Sequence, residues 1–177
     1  MKKLIITLML ALFAIVSFAQ EGPVGMRMEV VEFEQDDNEY SIFTYKDEDG
    51  TFGYYLSLGH VYRLLEIYRD DISDFYLDHI DETCIWLGAT SDEALKAIDF
   101  LLEFLDNEPG ATAKFRCRKT TGAGRLGDPD TANCMVIKRF LQGKRLNFQF
   151  STGKRIAETD LTKSAIKSLR RGFKTMQ

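Results

Sequence analysis

This 177-residue chain is poor in the residues that usually announce chemistry, with two histidines, three cysteines, three prolines and one tryptophan. A zinc centre commonly takes three protein ligands at compact spacing. Only His79 lies among nearby acids, in "LDHIDE", and His60 belongs to another element. His60, Asp78, His79 and Asp81 therefore remain the only metal or acid/base candidates, and no metal site is expected from them. "DEDG", Asp47 to Gly50, is too short for a calcium loop. No Pro/Ser-rich linker and no internal repeat is seen, so residues 20–177 are read as a single domain.

Long apolar runs are also scarce. The only one, Leu4 to Val16, is shorter than the ~20 residues that a spanning helix needs. Lys2 and Lys3 precede it, and Ser17-Phe18-Ala19 supplies small residues at a cleavage site. These features predict a signal peptide over residues 1–19 and an exported protein, periplasmic or secreted. Gln20 follows the expected cut, so no lipid-attachment cysteine is seen.

Catalytic motifs fail on their contexts. Ser164-Ala165-Ile166-Lys167 matches S-x-x-K, but the S-D-N and K-T-G partners are missing. Ser151-Thr152-Gly153-Lys154 lacks the leading glycine of a P-loop. Gly122, Gly124 and Gly127 spell G-x-G-x-x-G, a pattern that cradles a pyrophosphate when a helix follows. Here "DPDTAN" and a strand-like run follow, so the glycines are read as a hairpin loop and no cofactor is expected.

What is present is charge, unevenly placed. Residues 20–110 hold 23 Asp/Glu against 5 Lys/Arg; residues 111–177 hold 4 against 16. Either the halves fold together and cancel, or the basic half contacts an anionic polymer or protein partner. Arg116, Arg118, Lys119 and Arg125 cluster around the glycine loop and are the candidate anion-binding residues. All seven tyrosines fall between Tyr40 and Tyr76, a candidate stacking platform for sugars, with Tyr55 opposite the Phe52/Tyr54 face.

Periodicity predicts strands over Met26–Phe33, Tyr40–Lys46, Thr51–Leu58, Thr83–Gly88, Thr112–Lys119, Asn133–Leu141 and Arg145–Ser151. A short edge strand over Lys154–Ala157 is a further option. Val61, Leu64, Leu65 and Tyr68 recur at helical spacing, with Ile72, Phe75 and Tyr76 continuing the stripe or forming a second short helix. Thr90 and Glu93 make a capping box ahead of Ala94, Ile98, Leu101 and Leu105. A basic amphipathic helix closes the chain from about Leu161 to Met176. The expected fold is α+β: an antiparallel sheet of about five to seven strands, with two or three helices packed on one face.

If the strands flanking residues 120–132 pair symmetrically, Cys117 stands opposite Cys134, and a disulfide is expected in an oxidising compartment. It would close a loop of about 15–18 residues, worth about 3 kcal/mol in the chain-entropy model. Cys84 reads as a buried thiol.

The leading functional expectation is an exported binding or interaction domain without readable catalytic chemistry. The alternative is a small envelope or extracellular hydrolase using the acidic, tyrosine-rich half and the Asp78/His79/Asp81 cluster. A structural subunit whose acidic and basic halves pair head to tail is a third.

Overall fold

The computed structural model describes residues 23–35, 38–59, 62–69, 72–79, 82–120, 125–151 and 156–176. Eight strands form one antiparallel sheet in the order β1-β2-β3-β6-β7-β8-β9-β10. They are β1 (Arg27–Gln35), β2 (Asn38–Lys46), β3 (Phe52–Ser57), β6 (Thr83–Gly88), β7 (Thr112–Thr120), β8 (Leu126–Arg139), β9 (Gly143–Ser151) and β10 (Ile156–Thr162). A separate two-stranded ladder pairs β4 (Tyr62–Arg69) with β5 (Ile72–His79). Two helices complete the described residues: α1 (Ser91–Leu105) and α2 (Lys163–Thr175).

This corrects the expected architecture. The sheet has eight strands rather than five to seven, and the described residues of the helical stripe expected over 61–76 belong to the β4–β5 ladder, with Leu64 opposite Leu77 and Tyr68 opposite Ser73, while Val61 lies outside the described residues. Tyr62, Ile67, Tyr68, Ile72, Phe75 and Tyr76 favour a pleated surface, and that preference overrides the accidental i, i+3, i+4 spacing.

Period-two alternation divides the sheet into two faces. Ile42, Leu56, Ile85, Cys117, Cys134, Val136, Leu146 and Phe148 belong to the core that also receives Ala94, Ile98, Leu101 and Leu105 of α1 and Ala165, Ile166, Leu169 and Phe173 of α2. Thr90 caps α1, its side chain accepting from the Glu93 N–H at 3.3 Å, while the Glu93 carboxylate accepts from the Ala89 N–H at 2.8 Å. Thr162 caps α2 in the same way through the Ala165 N–H at 3.1 Å. At Gly172, an added Cβ would stand 2.7 Å from Val31 Cγ1, which shows how closely α2 lies on β1.

The sheet curls around these helices. Tyr40 Oη on β2 donates to the Asp160 carbonyl on β10 at 2.7 Å, and Thr159 Oγ1 reaches the Leu58 carbonyl at 3.4 Å. The last strand thus meets the ends of the second and third.

The expected Cys117–Cys134 bridge is corrected as well. Cys117 lies opposite Asp130 and Cys134 opposite Ala113, and all three cysteines are free and buried. The two positions are offset by four residues, about 13 Å along a strand, well beyond the ~7 Å limit for bridged Cα atoms. The symmetric register assumed that Asp128-Pro129-Asp130 forms a turn. It lies inside β8 instead, with Pro129 opposite Arg118, next to an irregularity between Arg118 and Thr120. β9 pairs with β8 only from Asn133 onward, so the missing Pro129 N–H interrupts no ladder on that side.

Candidate functional site

The sheet face away from the helices carries a second, smaller cluster of Phe43, Tyr45, Tyr55, Cys84 and Leu126, with Trp86 against it. Phe43 stacks on Tyr55 at 5.6 Å between centroids, and Tyr55 meets Trp86 edge to face at 5.2 Å. Above these rings opens a cleft of about 650 Å³. Its walls are the β2–β3 turn (Asp47, Glu48, Asp49, Thr51) and the facing stretch of β7 and β8 (Arg116, Arg118, Leu126, Pro129) with Arg125 just ahead of β8.

The structure brings together three of the four basic residues singled out in the sequence. Arg116 and Arg118, two apart on β7, both line the cleft, and Arg125 joins them from the residue just before β8. Lys119 does not: alternation sends it to the other face, where its ammonium stands 3.5 Å from Asp130.

The three arginines are not equivalent. Arg118 is fully engaged. Its guanidinium forms an ion pair with Asp47 and donates to the Gly127 and Leu126 carbonyls at 2.6 and 3.2 Å. Burial by itself lowers the Arg118 pKa, but the bonds to Asp47 and Tyr55 outweigh it and the net shift is upward. Arg118 thereby ties the β2–β3 turn to β7 and β8 and sets the width of the cleft. Arg125 pairs with Glu48 at 3.2 Å in an exposed contact. Arg116 lies over the Trp86 ring, 5.5 Å from its centroid, and makes no ion pair with another described residue. Of the three cleft arginines it is the one without a carboxylate partner among the described residues.

Beside the cleft lies a buried polar network. Arg27 Nη1 donates to both Glu82 carboxylate oxygens at 2.7 Å, and Nη2 donates to Ser41 Oγ at 2.6 Å. Ser57 Oγ donates to Glu82 and accepts from the Gly59 N–H at 3.2 Å. Ser57 is only 2% exposed, so this Ser–Glu pair is closed to substrates and acts as internal support.

The weaker acid/base candidates fall largely outside the described residues. Asp78 and His79 sit on β5 at the positions opposite Arg63 and Tyr62. His60 and Asp81 lie outside the described residues. Among the described residues no group of three or more His, Cys, Asp and Glu is arranged to hold a metal. Gly127 of the glycine pattern is within β8, and Gly122 and Gly124 lie outside the described residues. No described helix is long and apolar enough to cross a membrane.

Sequence reasoning missed Trp86 and Asp47 as site residues. The available signal was pairing: Tyr55, already assigned to the face opposite Tyr54, stands across from Trp86 in the β3–β6 ladder. Comparison with family models, with curated proteins and with solved structures returns no match to this chain, so the geometry of the cleft carries the functional argument alone.

Proposed function

We propose that this is an exported binding domain whose cleft takes a ligand carrying spaced anionic groups, such as an acidic glycan. The anionic group pairs with Arg116, and the flat or apolar body of the ligand rests on Trp86 and Tyr55. The observation that carries this reading is the placement of Arg116, without an ion pair among the described residues, above the Trp86 ring at the cleft wall. Arg118 and Arg125 are balanced by Asp47 and Glu48. That balance disfavours a dense polyanion such as nucleic acid, which needs a net basic groove. Export rests on the reading of residues 1–19 as a signal peptide, which mass analysis of native material tests at its N-terminus.

Trp86 is the sole tryptophan, so its emission reports on the cleft directly. Titration with a polygalacturonate oligosaccharide at low salt is expected to change that emission, and a neutral oligosaccharide of equal length to do so far less. Arg116→Ala weakens the response and lowers the salt slope by about one. Absence of any response in the wild type at low salt overturns the reading.

A further inference from the structure

The turn joining β8 to β9 carries two of the most exposed apolar side chains in the described structure: Phe140 is 90% and Leu141 91% accessible. Leu141 is also the one described non-glycine residue in the left-handed region, with φ of 63°. Leucine is an unfavourable choice there, where asparagine or glycine is the norm. Burial within the chain explains neither residue.

The strands behind this tip are basic. Lys138 stands directly opposite Lys144, and Arg145 lies one step further back, opposite Ile137. Like charges at directly opposed positions are unfavourable in an isolated sheet. The Lys144 ammonium is held by the Asp106 and Asn107 carbonyls at 3.1 and 2.8 Å, and Arg139 is paired with Asp160 at 2.7 Å. Lys163 is paired with Asp106. Lys138 is exposed and has no ion pair among the described residues.

We propose that the Phe140–Leu141 tip inserts into the surface of an anionic lipid bilayer. A tip with an apolar end and the unpaired Lys138 two residues behind Phe140 places the ring at the acyl boundary and the ammonium among the phosphates. A concave protein partner would have to supply both an apolar socket and an acidic rim, and the single apolar pair suits it less than a fluid interface. β8 runs the length of the sheet, about 45 Å, from the cleft at Leu126 to the tip at Phe140. A chain held by this tip therefore turns its cleft away from the membrane.

The test uses the full chain bearing Phe140→Trp, an exposed aromatic exchange that spares the core. Vesicles of phosphatidylglycerol mixed with phosphatidylcholine are expected to shift its emission to the blue, and bromine-labelled acyl chains to quench it. Phosphatidylcholine alone gives neither effect, and wild-type Trp86 emission stays unchanged. The readout is local to the tip, so any lipid affinity of the apolar run Leu4 to Val16 does not imitate it. In the same assay Lys138→Glu lowers the apparent affinity on the order of tenfold. The double variant Phe140→Ser/Leu141→Ser loses on the order of tenfold or more in vesicle partition. If the indole introduced by Phe140→Trp stays water-exposed with anionic vesicles, the proposal is overturned. So it is if that emission shifts with protein concentration without lipid, which assigns the tip to a contact between copies.

Discussion

The indole of Trp86 packs closely against the bare backbone of Gly53: a Cβ built on that glycine would stand 1.8 Å from Trp86 Cζ3. Gly53 belongs to β3 and faces the cleft side, so the absence of a side chain there makes room for the ring beneath Arg116.

Gly53→Ala is therefore expected to expel the indole from its seat. The ring cannot yield by bending, so overpacking costs about 1–3 kcal/mol. Trp86 emission shifts to the red, and ligand response in the cleft falls with it. Urea denaturation and emission spectra read the two effects separately.

Arg27 and Glu82 form the buried pair beside the cleft, with the Glu82 side chain only 4% exposed. Arg27→Met leaves that carboxylate without its partner and is expected to cost about 3–5 kcal/mol. The double variant Arg27→Met/Glu82→Leu recovers most of the loss, because desolvation of both charges is avoided. Chemical denaturation of the two variants side by side checks the coupling.

Burial pushes the Cys117 thiol up to about 11 and the Cys134 thiol up to about 12, while burial and the nearby Glu82 carboxylate raise Cys84 well above its ordinary range. At pH 8 the thiolate fraction of Cys117 is then on the order of one in a thousand. Thiol reagents are expected to react slowly with the native protein and to count three free thiols after denaturation. The same upward shifts stabilise the fold below the ordinary thiol value of 9.0 and lose that contribution as pH climbs through the folded values.

Between the helices, Arg170 of α2 is paired with Asp99 of α1, and this hydrogen bond holds the Asp99 carboxyl below its ordinary value of 3.8. A depressed carboxylate contributes stability above its unfolded value and loses it as pH falls through the folded one. The pair is partly exposed, so its contribution is at most about 1 kcal/mol after solvent screening. The stability difference between wild type and Asp99→Asn is expected to be constant well above the ordinary value of 3.8 and to shrink as pH falls below it. Thermal unfolding across that range measures it.

Helix α1 was legible in the sequence because two independent signals agreed there: the Thr90/Glu93 cap and the spacing of Ala94, Ile98, Leu101 and Leu105, all four buried. The stretch 61–76 misled because Val61, Leu64, Leu65 and Tyr68 fit a helix by count, whereas strand identity depends on a partner found only in three dimensions. Pro129 misled in the opposite direction. It reads as a turn former, yet it fits a strand wherever the neighbouring ladder has already ended. The basic members of the cleft were visible as a cluster, but not their division of labour. That Arg118 is spent on Asp47, 71 positions away, and that Arg116 is not, follows from how the β2–β3 turn folds over β7.

The contact between Tyr40 and Asp160 joins positions 120 apart along the chain. The early strands cannot settle into their final curvature until β10 and α2 arrive to occupy the opening between the two edges. Such long-range closure slows folding and leaves the nascent polypeptide loosely organised while its last third is still being made. Under the proposed export, which threads an unfolded chain through a narrow translocation channel, that delay is an asset.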